Sequence, residues 1–328
     1  MALLGGKRMI SRLVLQSLSK DKLSVFLFHK VPQQCDPLAP ADVNMARFEH
    51  LLDHTFSKLT VLPLEEAIAR LQAGTLPRGA ACITFDDGYP DWLAGVAPAL
   101  RRRNLHATFF ITSGQFDGVP LWHERILAAV RRLSGPLLDM GIPFLPAQPV
   151  ATTQDRQRQV QRLEQELKYL TLYRREQILQ QLESMAGVQA AAVPVMSEAQ
   201  LRDLHSQGFG IGAHTALHPI LDYCNAEEAE REIGGTRERL QAIVGGAVNG
   251  FAYPNGRPYA DFSRLHVDAV KRAGYRYAVT THWGVADAST SPYQIPRFTP
   301  WAERDWHVTY QLVRNLMTEP MQVPEVAT

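Results

Sequence analysis

The stretch that decides the fold is Ala81-Cys82-Ile83-Thr84-Phe85-Asp86-Asp87-Gly88, an apolar run that ends on two adjacent carboxylates and a glycine. A short run of apolar and β-branched residues before a turn signal predicts a buried β-strand. In α/β folds the functional residues gather just past the carboxyl ends of such strands. Two neighbouring carboxylates repel each other, so a site that keeps both usually contains a cation or a shared proton. The pair indicates a metal site, although a solvated Asp-Gly turn explains the same residues.

A second stretch, Gly212-Ala213-His214-Thr215-Ala216-Leu217-His218-Pro219, carries two histidines four positions apart. On a helical turn this spacing puts both imidazoles on one face, within reach of one ion. Pro219 disfavours helix at His218, so the second histidine is expected to close a loop or a single turn. Alone, the pattern describes two ordinary histidines. With one of the aspartates it supplies three protein ligands and leaves a position for water, which is typical of a catalytic zinc site.

The two motifs, in this order, resemble those of the polysaccharide deacetylase family, the carbohydrate esterases of family four. Thr84 to Gly88 is similar to the family's first motif and His214 to His218 to its second, and the similarity extends loosely over most of residues 23 to 300. The resemblance implies that Asp86 is the general base and that the metal is held by Asp87, His214 and His218. The chemistry is consistent, because a metal polarises an acetyl carbonyl and acidifies a bound water while a nearby carboxylate removes the water's proton.

An N-terminal strand is predicted at Ser24-Val25-Phe26-Leu27-Phe28-His29, which ends on the histidine. Some members of the family look circularly permuted and supply the general-acid histidine from the end of such a strand. This sequence resembles that kind, which implies that His29 protonates the leaving amine. A histidine that only caps the loop after the strand is the alternative.

The stretch Phe251-Ala252-Tyr253-Pro254-Asn255-Gly256 resembles the family's third motif, which ordinarily has an arginine two positions before the proline and an aromatic residue after it. Because that arginine orients the catalytic aspartate, another residue such as Arg257 or Arg297 is expected to replace it, or the base is less restrained. By resemblance, the backbone N–H of Asn255 helps to hold the oxyanion. A plain Pro-Asn-Gly turn is the alternative. The substrate-binding candidates of this motif are Tyr253, Pro254 and Asn255.

Two further substrate-binding candidates lie towards the C-terminus. A strand predicted over residues 275–281 is followed by His282-Trp283-Gly284. Trp283 is expected either to line the acetyl-binding groove, as a tryptophan does in the family's fourth motif, or to pack in the core. The stretch Gln294-Ile295-Pro296-Arg297-Phe298 is expected to bring Arg297 to the same rim.

The alternation of predicted strands and amphipathic helices along the chain indicates a parallel sheet or barrel. The family resemblance specifies a distorted (β/α) barrel, built from residues 23–119 and 195–305. Residues 120–194 read as a helical insertion, either a lid that selects substrate or a passive helical unit, and Trp122 and His123 within it are interpreted as packing residues. Residues 306–328 are expected to form a C-terminal helix and tail.

The amino-acid composition limits the classes of partner that the protein is expected to bind. The formal charge of +1 over 328 residues gives no electrostatic case for a nucleic acid. The three cysteines show neither metal-site spacing nor a disulfide framework, so reduced thiols in a cytoplasmic protein are the simplest account. Residues 1–22 have the periodicity of an amphipathic helix without the features of a secretory signal. This helix is expected to pack on the domain, and contact of residues 1–20 with a membrane surface is the alternative.

These features predict a metal-dependent N-deacetylase that acts on an N-acetylated sugar in a polysaccharide or a glycan precursor. Zinc is the expected metal, and cobalt and nickel suit the same ligands. Two alternatives remain open at this point: a related hydrolase of a non-sugar amide, and a catalytically silent glycan-binding module, which the altered third motif suggests. The sequence separates neither polymeric from lipid-linked or nucleotide-linked substrates nor one oligomeric state from another.

Overall fold

The computed structural model of the chain describes residues 17–300, residue 302 and residues 304–324. The strands are β1 Ser24–Phe28, β2 Thr60–Val61, β3 Ala80–Phe85, β4 Thr108–Ile111, β5 Leu137–Leu138, β6 Gln148–Pro149, β7 Gly210–Ala213, β8 Gly250–Ala252 and β9 Tyr277–Val279. The helices are α1 Met45–His54, α2 Leu64–Gln72, α3 Val96–Arg101, α4 Trp122–Arg132, α5 Thr153–Leu167, α6 Leu172–Ala186, α7 Glu198–Ser206, α8 Ala226–Glu230, α9 Thr236–Val244, α10 Arg264–Arg272 and α11 Asp305–Leu316. A π-helical segment, Arg231–Gly235, joins α8 to α9.

A curled parallel sheet forms the centre of the molecule, with the strand order β1-β3-β4-β7-β8-β9. The short strand β2 pairs with the first residues of β3. All six residues of β3 are buried, as expected for a parallel strand that is covered on both faces. The parallel register aligns Phe28 with Phe85 and Ile111 with Ala213, so the residues that follow these strands emerge at the same edge of the sheet.

The segment 295–298 closes the sheet into a barrel. Ile295 forms a parallel bridge with Val279 of β9, and Phe298 forms one with Phe26 of β1. The Phe298 N–H donates to the carbonyl of Val25 at 2.7 Å. The predicted distorted (β/α) barrel is therefore confirmed, and the closing segment is the one that carries Arg297.

Strand residues alternate between two apolar layers because successive side chains point to opposite faces. One set packs inside the barrel, where residues from β1, β3, β4, β8 and β9 meet: Val25, Cys82, Phe110, Ala252 and Val279. The other set packs against the surrounding helices and includes several stacked or edge-on aromatic rings, among them Phe28, Phe85 and Phe109. Both layers place rigid structure beneath the carboxyl ends of the strands.

The helices α4, α5 and α6 pack around a hydrophobic cluster of their own, which includes Ile126, Leu163 and Ile178. Thr152 and Asp155 form a capping box that begins α5, and Gly187, in the left-handed region at φ 61°, ends α6. This is the region predicted to be a helical insertion. The limits drawn from the sequence, 120–194 for the insertion and the flanking ranges for the barrel, stay a prediction.

The two ends of the chain are described only in part. Residues 1–16 lie outside the described residues, and they include most of the N-terminal helix predicted for residues 1–22 and most of the segment, residues 1–20, for which a membrane contact was suggested. The last four residues of the tail also lie outside. Helix α11 forms where a C-terminal helix was expected, one residue earlier than predicted. In the part of the chain that the structure describes, no helix combines the length and apolarity needed to cross a membrane.

Candidate active site

Four of the predicted site residues follow barrel strands at one edge of the sheet. His29 follows β1, Asp86 and Asp87 follow β3, and His214 follows β7. The Asp86 N–H donates to the carbonyl of Phe28 at 3.0 Å, which fixes the end of β3 against the end of β1. Carboxyl ends of parallel strands meet in this way because every strand runs in the same direction, and that is where barrel enzymes place their chemistry.

The Asp87 carboxylate faces both histidines of the second motif. Its Oδ1 lies 3.4 Å from His214 Nε2 and 3.5 Å from His218 Nε2. One ligand atom from each of the three residues lies within 4.8 Å of the others. The His-x-x-x-His spacing is not helical here, because Thr215 and His218 have left-handed backbone φ values of 62° and 52°. As Pro219 indicated, His218 closes a loop, and the loop brings the two imidazoles together.

Two observations indicate that Asp87, His214 and His218 suit a divalent metal. Asp87 Oδ1 is buried and accepts no hydrogen bond, which is unfavourable for a carboxylate oxygen unless a cation satisfies it. His214 Nδ1 lies 2.8 Å from the carbonyl oxygen of Ala252, so Nδ1 donates, and in the neutral ring the lone pair of Nε2 then faces Asp87. Metal-binding histidines are commonly oriented by such a bond from the second ring nitrogen.

Burial and charge set the protonation of these groups. Burial alone would raise the pKa of Asp87, but the neighbouring imidazoles of His214, His123 and His218 keep that pKa well below its usual range. Burial lowers the pKa of His218 and the neighbouring His214 lowers it further. An ionised carboxylate beside a neutral imidazole is the state that binds a divalent cation.

Asp86 pairs with Arg297 in a fully buried, bidentate ion pair. The guanidinium donates to Oδ1 at 2.7 Å and to Oδ2 at 2.6 Å, and both side chains are about 1% exposed or less. Arg297 also donates to the carbonyl of Thr280 at 2.8 Å, which fixes its position inside the barrel. Arg297 is thus the arginine that contacts Asp86, whereas the other candidate, Arg257, is exposed and pairs with the buried Asp261.

A cavity of about 370 Å³ opens beside these residues. It is lined by His29, Asp86, Asp87, His214, His218 and Asn255 and by side chains from the insertion, including Gln161, Glu164 and Lys168. His29 is exposed, and the Trp92 indole holds its backbone by donating to the His29 carbonyl at 3.0 Å. Asn255 has a left-handed backbone with φ 54°.

The remaining candidates lie behind or beside this cavity. The Tyr253 ring is buried and stacks on Phe262 with 3.9 Å between ring centroids, and Pro254 is buried next to it. The Trp283 ring packs edge-on against Phe298 at 4.9 Å. The side chains that line the cavity do not include Tyr253, Pro254, Trp283 or Arg297.

The site also contains His123, which the sequence analysis interpreted as a packing residue. Its Nε2 lies 3.7 Å from Asp87 Oδ2 and forms a hydrogen bond of 2.9 Å with the Tyr89 hydroxyl. Trp122, its neighbour in α4, places its indole N–H 3.5 Å from His218 Nδ1. The packing interpretation is incomplete, because the amphipathic pattern of α4 does not reveal which end of the helix meets the barrel.

Comparison with known proteins agrees with this geometry. The family model described as polysaccharide deacetylase matches residues 73–133 and 179–278, which include both aspartates and both histidines. The unmatched stretch between the two segments contains α5. No curated protein matches the sequence.

Several solved deacetylase structures share the fold. The structure of IcaB from Ammonifex degensii has a TM-score of 0.58 at 16% identity, covering 91% of this chain and 98% of that chain. The Streptococcus pyogenes deacetylase PplD in complex with acetate has a TM-score of 0.57 at 17% identity, covering 85% of this chain and 92% of that chain. A de-N-acetylase from Aggregatibacter actinomycetemcomitans has a TM-score of 0.53 at 17% identity, covering 85% and 94%. At these identities the likeness concerns the fold.

Proposed function

We propose, given that this chain belongs to the polysaccharide deacetylase family of hydrolases acting on carbon–nitrogen bonds other than peptide bonds, that it is a metal-dependent N-deacetylase of an N-acetylated glycan. The observation that carries the proposal is the adjacency of two differently supported carboxylates. Asp87 faces two imidazoles with an unsatisfied buried oxygen, and Asp86 is held by a guanidinium. The two environments suit two different roles.

Asp87, His214 and His218 are the residues that would hold the metal, and zinc, cobalt and nickel all suit this donor set. The bound ion would polarise the acetamide carbonyl and lower the pKa of a water molecule. His214 and Asp87 are buried and His218 is half-buried, so one side of the site faces the cavity. Substrate would enter from that side.

Asp86 acts in this proposal as the general base. Each of its oxygens accepts one hydrogen bond from Arg297, which leaves a second lone pair on each oxygen for the proton of the attacking water. The bidentate contact keeps the carboxylate from rotating, and general-base catalysis depends on such positioning. Arg297 is thus proposed as a positioning residue behind Asp86, in the role that the altered third motif leaves open.

His29 and Asn255 complete the proposal from the cavity wall. His29 is exposed to the cavity after β1, where it would protonate the amine as the carbon–nitrogen bond breaks. The backbone N–H of Asn255 would help to hold the oxyanion, a role independent of the Asn255 side chain. Tyr253, Pro254 and Trp283 would support the substrate groove through packing.

An N-acetylated carbohydrate is the substrate class that the family implies. The restrained Asp86 supports an active enzyme over a silent glycan-binding module, because that alternative arose from the missing third-motif arginine. A cytoplasmic location remains part of the proposal, supported by three cysteines that are all free. The non-sugar amide hydrolase remains the competing activity.

The test is acetate release from N-acetylglucosamine oligomers, followed by mass spectrometry of the glycan. The wild type is expected to release acetate. Asp86→Asn is expected to reduce kcat by about 10²- to 10⁴-fold, the usual range for a general base, while zinc affinity changes little.

Asp203→Asn, a change at an exposed position on α7, is the control and should retain wild-type activity. Equal acetate release by Asp86→Asn would contradict its role as the base. Turnover of small amides without any release from the sugar oligomers would favour the competing hydrolase.

A further inference from the structure

The loop that carries His218 has a backbone that needs support. Thr215 and His218 both occupy the left-handed region, which non-glycine residues adopt only when surrounding structure holds them there. Within the loop, the His218 N–H donates to the Thr215 hydroxyl at 3.1 Å. Contacts from outside the loop must provide the rest.

Two N–H groups of this loop are held by Glu232, from the π-helical segment between α8 and α9. Its Oε2 accepts the N–H groups of Ala216 and Leu217 at 2.8 and 2.9 Å. The carbonyl groups of Leu217 and His218 are held by a different residue.

Arg175, in helix α6 of the insertion, binds these two carbonyl groups. Its guanidinium donates to the carbonyl oxygen of Leu217 at 2.6 Å and to that of His218 at 3.1 Å. The guanidinium also lies over the Trp122 ring, 4.8 Å from the ring centroid. Because the Trp122 indole contacts the His218 ring, two side chains of the insertion meet this one histidine, at its backbone and at its ring.

The surroundings of Arg175 are unusual for a cation. The residue is 3% exposed. The nearby carboxylates of Glu176 and Glu183 pair with Arg125, and among the described residues no carboxylate forms an ion pair with Arg175. A buried cation is unfavourable unless its hydrogen bonds are well placed, and an apolar side chain would fill the same space at lower cost. The arginine at this buried position is therefore best explained by the hydrogen bonds that its N–H groups donate.

We propose that Arg175 is a positioning residue that fixes His218 for metal binding, so that the helical insertion is part of the metal centre. This inference rests on the proposed function, because it takes Asp87, His214 and His218 as the metal ligands. The two carbonyl contacts hold the Leu217–His218 backbone in the conformation that directs His218 Nε2 towards Asp87. Without them the loop relaxes and one of the three ligands is misplaced.

The test replaces Arg175 by methionine, which keeps much of the side-chain volume and removes the donors. Zinc affinity of the full chain is measured by competition with a chromophoric chelator, and the visible spectrum of the cobalt-loaded protein reports ligand geometry. We expect Arg175→Met to bind zinc about 10- to 100-fold more weakly, the usual effect of losing an outer contact of a ligand, and to show an altered cobalt spectrum. Arg175→Lys keeps the positive charge but lacks the planar guanidinium, so its zinc affinity should lie between those of the wild type and Arg175→Met.

Arg174→Met is the matched control, because Arg174 is exposed on the same helix and should leave affinity and spectrum unchanged. Wild-type zinc affinity in folded Arg175→Met would overturn the inference. If that variant does not fold, wild-type affinity and spectrum in Arg175→Lys would overturn it instead. Failure of the wild-type protein itself to bind zinc would contradict the proposed function, and with it the inference.

Discussion

Asp86 and Arg297 stand 211 positions apart in the chain, yet they form the best-defined ion pair of the site. Asp86 is predicted from its place after a buried strand, and the third motif lacks the usual arginine. The sequence does not decide between Arg257 and Arg297 as its replacement, because that choice depends on which side chain points into the barrel. The parallel bridges of segment 295–298 with β9 and β1 make the choice.

Removing the guanidinium should destabilise the protein strongly. Arg297→Met leaves the buried Asp86 charge without its partner, and such a loss costs about 3–5 kcal/mol in the free energy of unfolding. Urea denaturation monitored by circular dichroism measures the change.

The exposed pair of Arg276 and Glu65 provides the control for this prediction. Arg276→Met should alter the free energy of unfolding by less than about 1 kcal/mol, because exposed ion pairs contribute little. Equal effects of the two substitutions would mean that the Asp86–Arg297 pair is not buried as described.

His123 illustrates what single-residue reasoning misses. Its neighbours in sequence, Trp122 and Glu124, suggest an ordinary amphipathic helix, and nothing in that pattern separates a core histidine from one that faces a cavity. The signal is tertiary, because Tyr89 and Asp87 approach from a different part of the chain. The sequence offers one clue that His123 faces the site, which is its place in the first turn of a helix close to a predicted metal motif.

At the scale of elements, periodicity predicted most of what forms. The strand before Asp86 appears where the apolar pattern placed it, and α4, α5 and α6 form in the region predicted to be a helical insertion. Capping residues such as Thr152 and Ser197 explain where α5 and α7 begin. Periodicity does not show which elements contact each other. The closeness of α4, α5 and α6 to the site is therefore seen only in the folded structure.

Glu164 of α5 shows how the insertion meets the cavity. Burial raises the pKa of Glu164 to about 7, the charges of Glu124 and Asp42 add to the shift, and Lys168 opposes it. The folded protein therefore holds this proton more tightly than the unfolded chain does. Stability from this group is fully present below the unfolded pKa and is lost as the pH rises towards about 7.

Glu164→Gln should therefore stabilise the metal-free protein at pH 8 and have a much smaller effect at pH 5. At pH 8 we expect a gain of about 1–2 kcal/mol, after allowance for the partial exposure of the carboxylate. Thermal unfolding in the presence of a chelator, at both pH values, gives the comparison.

Glu166→Gln, at an exposed position on the same helix, should show no such dependence on pH. A Glu164→Gln effect that is equal at pH 5 and pH 8 would show that the carboxylate titrates as it does in the unfolded chain.

At the scale of the whole molecule, barrel closure is what creates the site. The two motifs lie more than a hundred residues apart, and only the strand order β3-β4-β7 brings Asp87 beside His214. The family resemblance predicted this arrangement, whereas composition and periodicity alone led no further than a parallel sheet or barrel. The sequence left open whether the insertion is a lid or a passive unit, because its contribution to the site depends on packing between helices that the family model does not cover in full.

The most direct test of this account is an anomalous diffraction map recorded at the zinc absorption edge from crystals of the zinc-loaded protein. The account predicts one strong peak bounded by Asp87, His214 Nε2 and His218 Nε2, at about 2.0–2.2 Å from each ligand atom. A zinc-loaded crystal in which these three side chains contact no metal, with the anomalous peak elsewhere, would contradict it.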